Sequence, residues 1–117
     1  MKKVLIIEND IDTLDVLSIA LKDYGYAVIS TETKMSLQQI AEINPDVVAI
    51  DYQLNDGYGN ELCLNIKSNP ATGHIPVVIF SASLHLEKII EACHADAFIA
   101  KPFDLVEFEK TIGELAL

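Results

Sequence analysis

The sequence predicts an α/β sandwich in which five βα units wind one parallel sheet with helices on both faces. Three observations predict it. Short runs that are apolar at every position alternate with stretches of helical period. The most uniformly apolar runs, Val4-Leu5-Ile6-Ile7, Val47-Val48-Ala49-Ile50 and Val77-Val78-Ile79-Phe80, suit strands that helices cover on each side. Helix-stopping residues, Gly25, Asn44-Pro45 and Asn69-Pro70, fall between the runs.

Each element follows in order. Val4–Ile7 makes the first strand. In the helix after it, Leu14, Leu17, Leu21 and Tyr24 recur at i, i+3, i+7 and i+10, and Gly25 ends it. Ala27-Val28-Ile29-Ser30 is a weaker run, as expected near a sheet edge. Residues 34–43 place Leu37, Ile40 and Ala41 on one face and stop at Asn44-Pro45. Val47–Ile50 is the third strand. Residues 60–68 carry Leu62, Cys63 and Ile66, and residues 84–94 carry Leu86, Ile89, Ile90 and Cys93, with Val77–Phe80 between them. Ala97-Phe98-Ile99-Ala100 is the second weak run. The last helix opens on Asp104-x-x-Glu107, a capping-box-like pair, and repeats Leu105, Phe108, Ile112 and Leu115. Right-handed crossovers through five such units give a flavodoxin-like, doubly wound (βα)5 three-layer sandwich with strand order 2-1-3-4-5.

Composition bounds what such a chain does. Its 117 residues make one domain with no internal linker, and 50 % apolar content gives it a core to bury. Eighteen acidic side chains against eight Lys, with no Arg, leave a net charge of −10. That charge opposes phosphate backbones and anionic membrane surfaces, so neither nucleic acid nor membrane is an expected partner. No apolar run nears the roughly 18 residues of a membrane span. The N-terminal run meets Glu8 after four apolar residues, too few for a signal peptide, and a cytoplasmic address is expected. Cys63 and Cys93 read as reduced core thiols, and His74, His85 and His94 share no zinc spacing with them.

The chemistry gathers at the strand ends, where ligands bind in this architecture. The first strand ends in Glu8-Asn9-Asp10, the third in Asp51, the fourth in Ser81-Ala82 and the fifth in Lys101-Pro102. Two or three carboxylates make a hard oxygen site for Mg²⁺. A hydroxyl and an ammonium beside them serve an incoming anion. Metal, nucleophilic carboxylate, hydroxyl and Lys together describe phosphoryl transfer onto Asp. Singly, each has a plainer role: Asp10 or Asp12 caps the first helix, Ser81 or Ser83 the fourth, Asp51 starts a turn and Lys101 is a solvated charge.

Four stretches then carry a resemblance: Val4-Leu5-Ile6-Ile7-Glu8-Asn9-Asp10, Pro45-Asp46-Val47-Val48-Ala49-Ile50-Asp51, Ile75-Pro76-Val77-Val78-Ile79-Phe80-Ser81-Ala82 and Phe98-Ile99-Ala100-Lys101-Pro102-Phe103. In this order and spacing the whole chain resembles the receiver domains of two-component response regulators. The resemblance implies that Asp51 is the phosphoacceptor, taking its phosphoryl group from a His of a sensor kinase or phosphotransfer protein. It implies Mg²⁺ held by Glu8, Asn9, Asp51 and the backbone carbonyl of Gln53. It places Ser81 on a phosphoryl oxygen, Lys101 on another, a cis bond before Pro102, and Phe98 at the aromatic switch position beside Ser81. It also implies a signalling protein instead of an enzyme. A downstream protein would dock on the face of the fourth helix, fifth strand and fifth helix, where Glu87, Glu91, Asp104, Glu107 and Glu109 favour basic groups.

Three departures stand out. Asn9 offers an amide where the family has a second carboxylate, and Asp10 is placed to compensate in part through charge. Gly57-Tyr58-Gly59 replaces the usual Met-Asp-Gly, with a flexible loop expected around Asp56-Gly57. His94 stands where a helix-ending Gly is common, so that helix end is expected to differ. The chain reads as a single receiver domain over 1–117 with no output domain, acting alone through protein contacts. The alternative is a pseudo-receiver that binds its partner independently of phosphorylation, which Asn9 favours. A flavodoxin-like cofactor binder is disfavoured, because no Gly-rich phosphate loop follows the first strand.

Overall fold

The computed structural model describes residues 1–54, 57–82 and 91–117, with residues 57 and 58 described by their backbone. In chain order the elements are β1 (Lys3–Ile7), α1 (Ile11–Asp23), β2 (Ala27–Thr31), α2 (Leu37–Ile43), β3 (Val47–Asp51), the two-residue strands β4 (Gln53–Leu54) and β5 (Gly57–Tyr58), α3 (Gly59–Ser68), β6 (Val77–Ser81), β7 (Ala97–Ala100) and α4 (Leu105–Leu115). A helical turn over residues 91–93 precedes β7. The main sheet is parallel, in the order β2-β1-β3-β6-β7. With the antiparallel β4–β5 ladder set aside, this is the expected 2-1-3-4-5 order.

Successive strand residues point to opposite faces, and both faces are buried. Leu5, Ile7, Val48, Ile50, Val77 and Ile79 pack on Ile40 of α2, Leu62, Cys63 and Ile66 of α3, and Cys93. Val4, Ile6, Val47, Ala49, Val78 and Phe80 pack on Leu14, Leu17 and Leu21 of α1 and on Phe108 and Ile112 of α4. Hence the central strands show no polar alternation: every residue of β3 and β6 is buried. The weaker runs are the edge strands β2 and β7, which are partly exposed. Each large aliphatic side chain so buried contributes about 1.5–3 kcal/mol.

The helix ends depart from expectation in three places. Tyr24, placed by periodicity on the apolar face of α1, is instead its C-cap and 51 % exposed, because Gly25 at φ 96° turns the chain away there. α2 starts at Leu37, later than residue 34, where Ser36 and Gln39 form a reciprocal capping box, and it ends on left-handed Asn44. His94 adopts φ 62°, so the turn after Cys93 takes the left-handed conformation without a glycine. The expected departure at this helix end is thus corrected: the backbone keeps the turn and His94 bears the strain. The expectations for Leu86, Glu87, Ile89 and Ile90, for a Ser83 cap and for flexibility at Asp56 lie outside the described residues. Among the described residues, no helix is long and apolar enough to cross a membrane.

Candidate functional site

Register brings the strand ends together. Ile7 pairs with Ile50, Asp51 with Phe80, and Ser81 with Ala100. Glu8, Asp51, Ser81 and Lys101 therefore sit at, or one residue beyond, the ends of four adjacent strands. Backbone bonds hold the rim beyond the ladders: Glu8 N–H donates to Thr31 O (3.1 Å), Tyr52 N–H to Phe80 O (3.0 Å) and Lys101 N–H to Ser81 O (2.8 Å). The Lys101–Pro102 peptide is cis, as expected.

One cation meets two carboxylates at this rim. Lys101 Nζ lies 3.4 Å from Glu8 Oε2 and 3.6 Å from Asp51 Oδ2. It also sits 5.3 Å from the centroid of the Phe80 ring, whose face favours a cation. Glu8 is 1 % and Asp51 5 % exposed. Burial, then the Asp51 charge, pushes the Glu8 carboxyl up from 4.5 to about 7; the Asp10 N–H and Lys101 pull the other way. Among the described residues, two largely buried carboxylates thus share the Lys101 ammonium. That donor set fits a small divalent cation.

The remaining residues divide between expectation and surprise. Ser81 is buried at the end of β6. Gln53 donates its backbone N–H to Asp51 Oδ1 at 3.3 Å, which orients the carboxylate. Asn9 follows Glu8 and is partly buried. Phe98 is on β7, opposite Ile79, and 43 % exposed. Asp10 takes the plainer of its two readings. Its carboxylate accepts from Asp12 N–H (3.2 Å) and Thr13 Oγ1 (2.8 Å) and caps α1, while its own N–H donates to Glu8 Oε1 (3.1 Å). Among the described residues, no cluster of three His, Cys, Asp or Glu suited to a metal occurs.

Two contributors were missed in the sequence. Phe80 supports Lys101 from below and packs edge-on against Phe103 and Phe108. Gly59 opens α3 directly beneath the acceptor loop: a Cβ there would collide with the Asp51 carbonyl oxygen and lie 2.6 Å from Ile50 Cγ2. The Gly57-Tyr58-Gly59 spacing was the available signal, but the contact is tertiary. Beside the site runs an open groove of about 930 Å³ between the start of α1 and the β7–α4 loop, lined by Asp12, Val16, Lys101, Pro102, Phe103 and Leu105 among others.

The family model for the response regulator receiver domain matches residues 4–113. The chain belongs to that family. Receiver domains are the phosphorylation-based signalling domains of two-component systems. Over 110 residues, 92 % of its length, this receiver is 30 % identical to the DNA-binding dual master transcriptional regulator RpaA of Synechocystis, covering 46 % of that protein. It is 27 % identical to the two-component response regulator ORR12 of rice, with 94 % of each chain covered. Response regulator protein TrrA of Thermotoga maritima, solved in complex with Mg²⁺–BeF, shares the fold at TM-score 0.87 and 21 % identity, over 98 % of this chain and 99 % of that one. The receiver spans less than half the length of the first curated relatives it matches.

Proposed function

We propose that Asp51 accepts a phosphoryl group from a phosphohistidine of a sensor histidine kinase or a histidine phosphotransfer protein, and that the receiver signals by contact with a downstream protein. The observation that supports this most is the buried Asp51 carboxylate facing Lys101, which Glu8 shares. As an Asp51 oxygen bonds to phosphorus, the P–N bond breaks and its electron pair returns to the donor imidazole, which takes up a proton. Lys101 then has an equatorial phosphoryl oxygen to pair with, and the Ser81 hydroxyl a second. Glu8 and Asp51, with the Asn9 amide oxygen and the Gln53 carbonyl, would hold Mg²⁺. When bound, the ion offsets the charge of the carboxylates and of the transferring group.

The groove beside Lys101 would seat part of a donor protein next to the strand ends. Phosphorylation would draw Ser81 inward and open space for Phe98, now 43 % exposed, to turn in. Phe lacks a hydroxyl, so the inward state needs no buried hydrogen-bond partner. The downstream surface proposed is the β7–α4 face with Glu91, where Phe98, Leu105 and Val106 stand exposed among Asp104 and Glu107. The test is intact mass after incubation with phosphoramidate, with Mg²⁺ and with a chelator. Gain of one phosphoryl group that needs Mg²⁺ is expected. No gain in either arm would favour a receiver that binds its partner without phosphorylation.

A further inference from the structure

Away from the site, two thiols 30 residues apart in sequence meet inside the sheet's other core layer. Cys63, midway along α3, directs its Sγ at the backbone carbonyl of Cys93, 3.5 Å away. Cys93 closes the helical turn over residues 91–93, just before the left-handed His94. Both side chains are fully or almost fully buried, at 0 % and 1 % exposure. They belong to one apolar cluster with Ile66, Ile75 and Ile79. Two free cysteines from different elements thus fill neighbouring core positions that two aliphatic residues would fill as well.

We infer that Cys63 and Cys93 form a reversible disulfide that ties α3 to the turn leading into β7. α3 begins at Gly59 against the Asp51 backbone, and β7 ends just before Lys101, so the bond would join two segments that both run to the acceptor site. The oxidant is a low-molecular-weight disulfide such as glutathione disulfide. One protein thiolate attacks a sulfur of the oxidant, releasing one glutathione and leaving a mixed disulfide. The second protein thiolate then attacks the protein sulfur of that bond and expels the second glutathione. Two thiols of the chain lose two hydrogens, and one oxidant becomes two glutathiones.

Access governs the rate. Burial, followed by the neighbouring Cys93 thiol, pushes the Cys63 thiol well above its ordinary range, so the closed core keeps it protonated and unreactive. Local opening of the 91–94 turn exposes the pair. Lys67, four residues along α3 from Cys63, favours the Cys63 thiolate, but its ion-pair partner Asp96, 2.9 Å away, opposes it, so either thiol can attack first.

The experiment equilibrates the folded chain with glutathione disulfide, both in buffer and in urea below the unfolding midpoint, so that slow opening does not hide a favourable bond. Acid quench, denaturation, alkylation and intact mass then count the thiols. The expected product is a monomer lacking both titratable thiols and two hydrogens, restored by dithiothreitol, with a raised urea midpoint. Cys63→Ser and Cys93→Ser should each stop at a glutathione adduct. Two free thiols in both conditions, single adducts on the unsubstituted chain, or linked dimers would overturn the inference.

Discussion

Replacing Glu8 by Gln should make the metal-free receiver more stable near neutral and alkaline pH, although it removes a residue of the site. The carboxyl titrates at about 7 in the folded chain against 4.5 for an ordinary Glu. At about 1.4 kcal/mol for each tenfold step, holding it ionised in the fold costs about 3 kcal/mol. The sign follows from proton counting. Between the two values the native state binds more protons than the unfolded chain, so stability falls as pH rises from 4.5 and the full cost stands above about 7. The Lys101 attraction is already contained in that shift, but a Gln keeps its own burial cost and pairs less well than a protonated Glu, which returns about 1–2 kcal/mol. The net gain for Glu8→Gln is about 1–2 kcal/mol at about pH 8, shrinking toward zero at about pH 4.5, where Glu8 is protonated in the fold. Urea unfolding of both proteins in chelator, across that range, reads it directly. Saturating Mg²⁺ should then stabilise the unsubstituted protein and not the Glu8→Gln variant. A variant no more stable at about pH 8, or a difference that does not shrink with acid, would refute the charge argument.

Other outcomes follow from the same geometry. Asn9→Asp should tighten Mg²⁺ about tenfold, since a full charge placed near a divalent ion is worth several kcal/mol at an effective dielectric of about 20 before desolvation offsets most of it; a Mg²⁺ titration of both proteins measures it, and unchanged affinity would remove Asn9 from the metal. Asp10→Ala should lower unfolding free energy by about 1 kcal/mol through loss of the α1 cap while leaving Mg²⁺ affinity within twofold or so. His94→Gly should raise stability by about 1 kcal/mol in denaturant melts, because Gly accepts the left-handed backbone at φ 62° without strain.

The parallel sheet was legible because strands covered on both faces cannot alternate, and Val4–Ile7, Val47–Ile50 and Val77–Phe80 do not. The site was legible for a related reason: in such a sheet, residues that end apolar runs become neighbours, and Lys101 does lie within 3.6 Å of both Glu8 and Asp51. What periodicity lacks is the position of a helix's last turn. It gave Tyr24 an azimuth on α1 but could not say that Gly25 would already have turned the chain outward. Competing uses of one side chain were equally hidden. Asp10 suits either a cation or a helix N-terminus, and in the fold its carboxylate accepts from Asp12 N–H and Thr13 Oγ1 at the cap. Phe80 looked like core, and most of its ring is core. Its face under Lys101 exists only once β6 and β7 are paired. His94 shows the opposite failure: a residue that the local strain rule disfavours there takes φ 62° all the same.

The claim on which the rest depends is that Asp51 is the acceptor, and Asp51→Asn tests it with little change of shape. The wild-type and Asp51→Asn proteins are incubated side by side with phosphoramidate and Mg²⁺ and weighed intact, with folding checked by circular dichroism. One added phosphoryl group is expected on the wild type, labile to hydroxylamine as an acyl phosphate is, and none on the folded variant. A folded Asp51→Asn protein that gains the same mass at the same rate would contradict the claim.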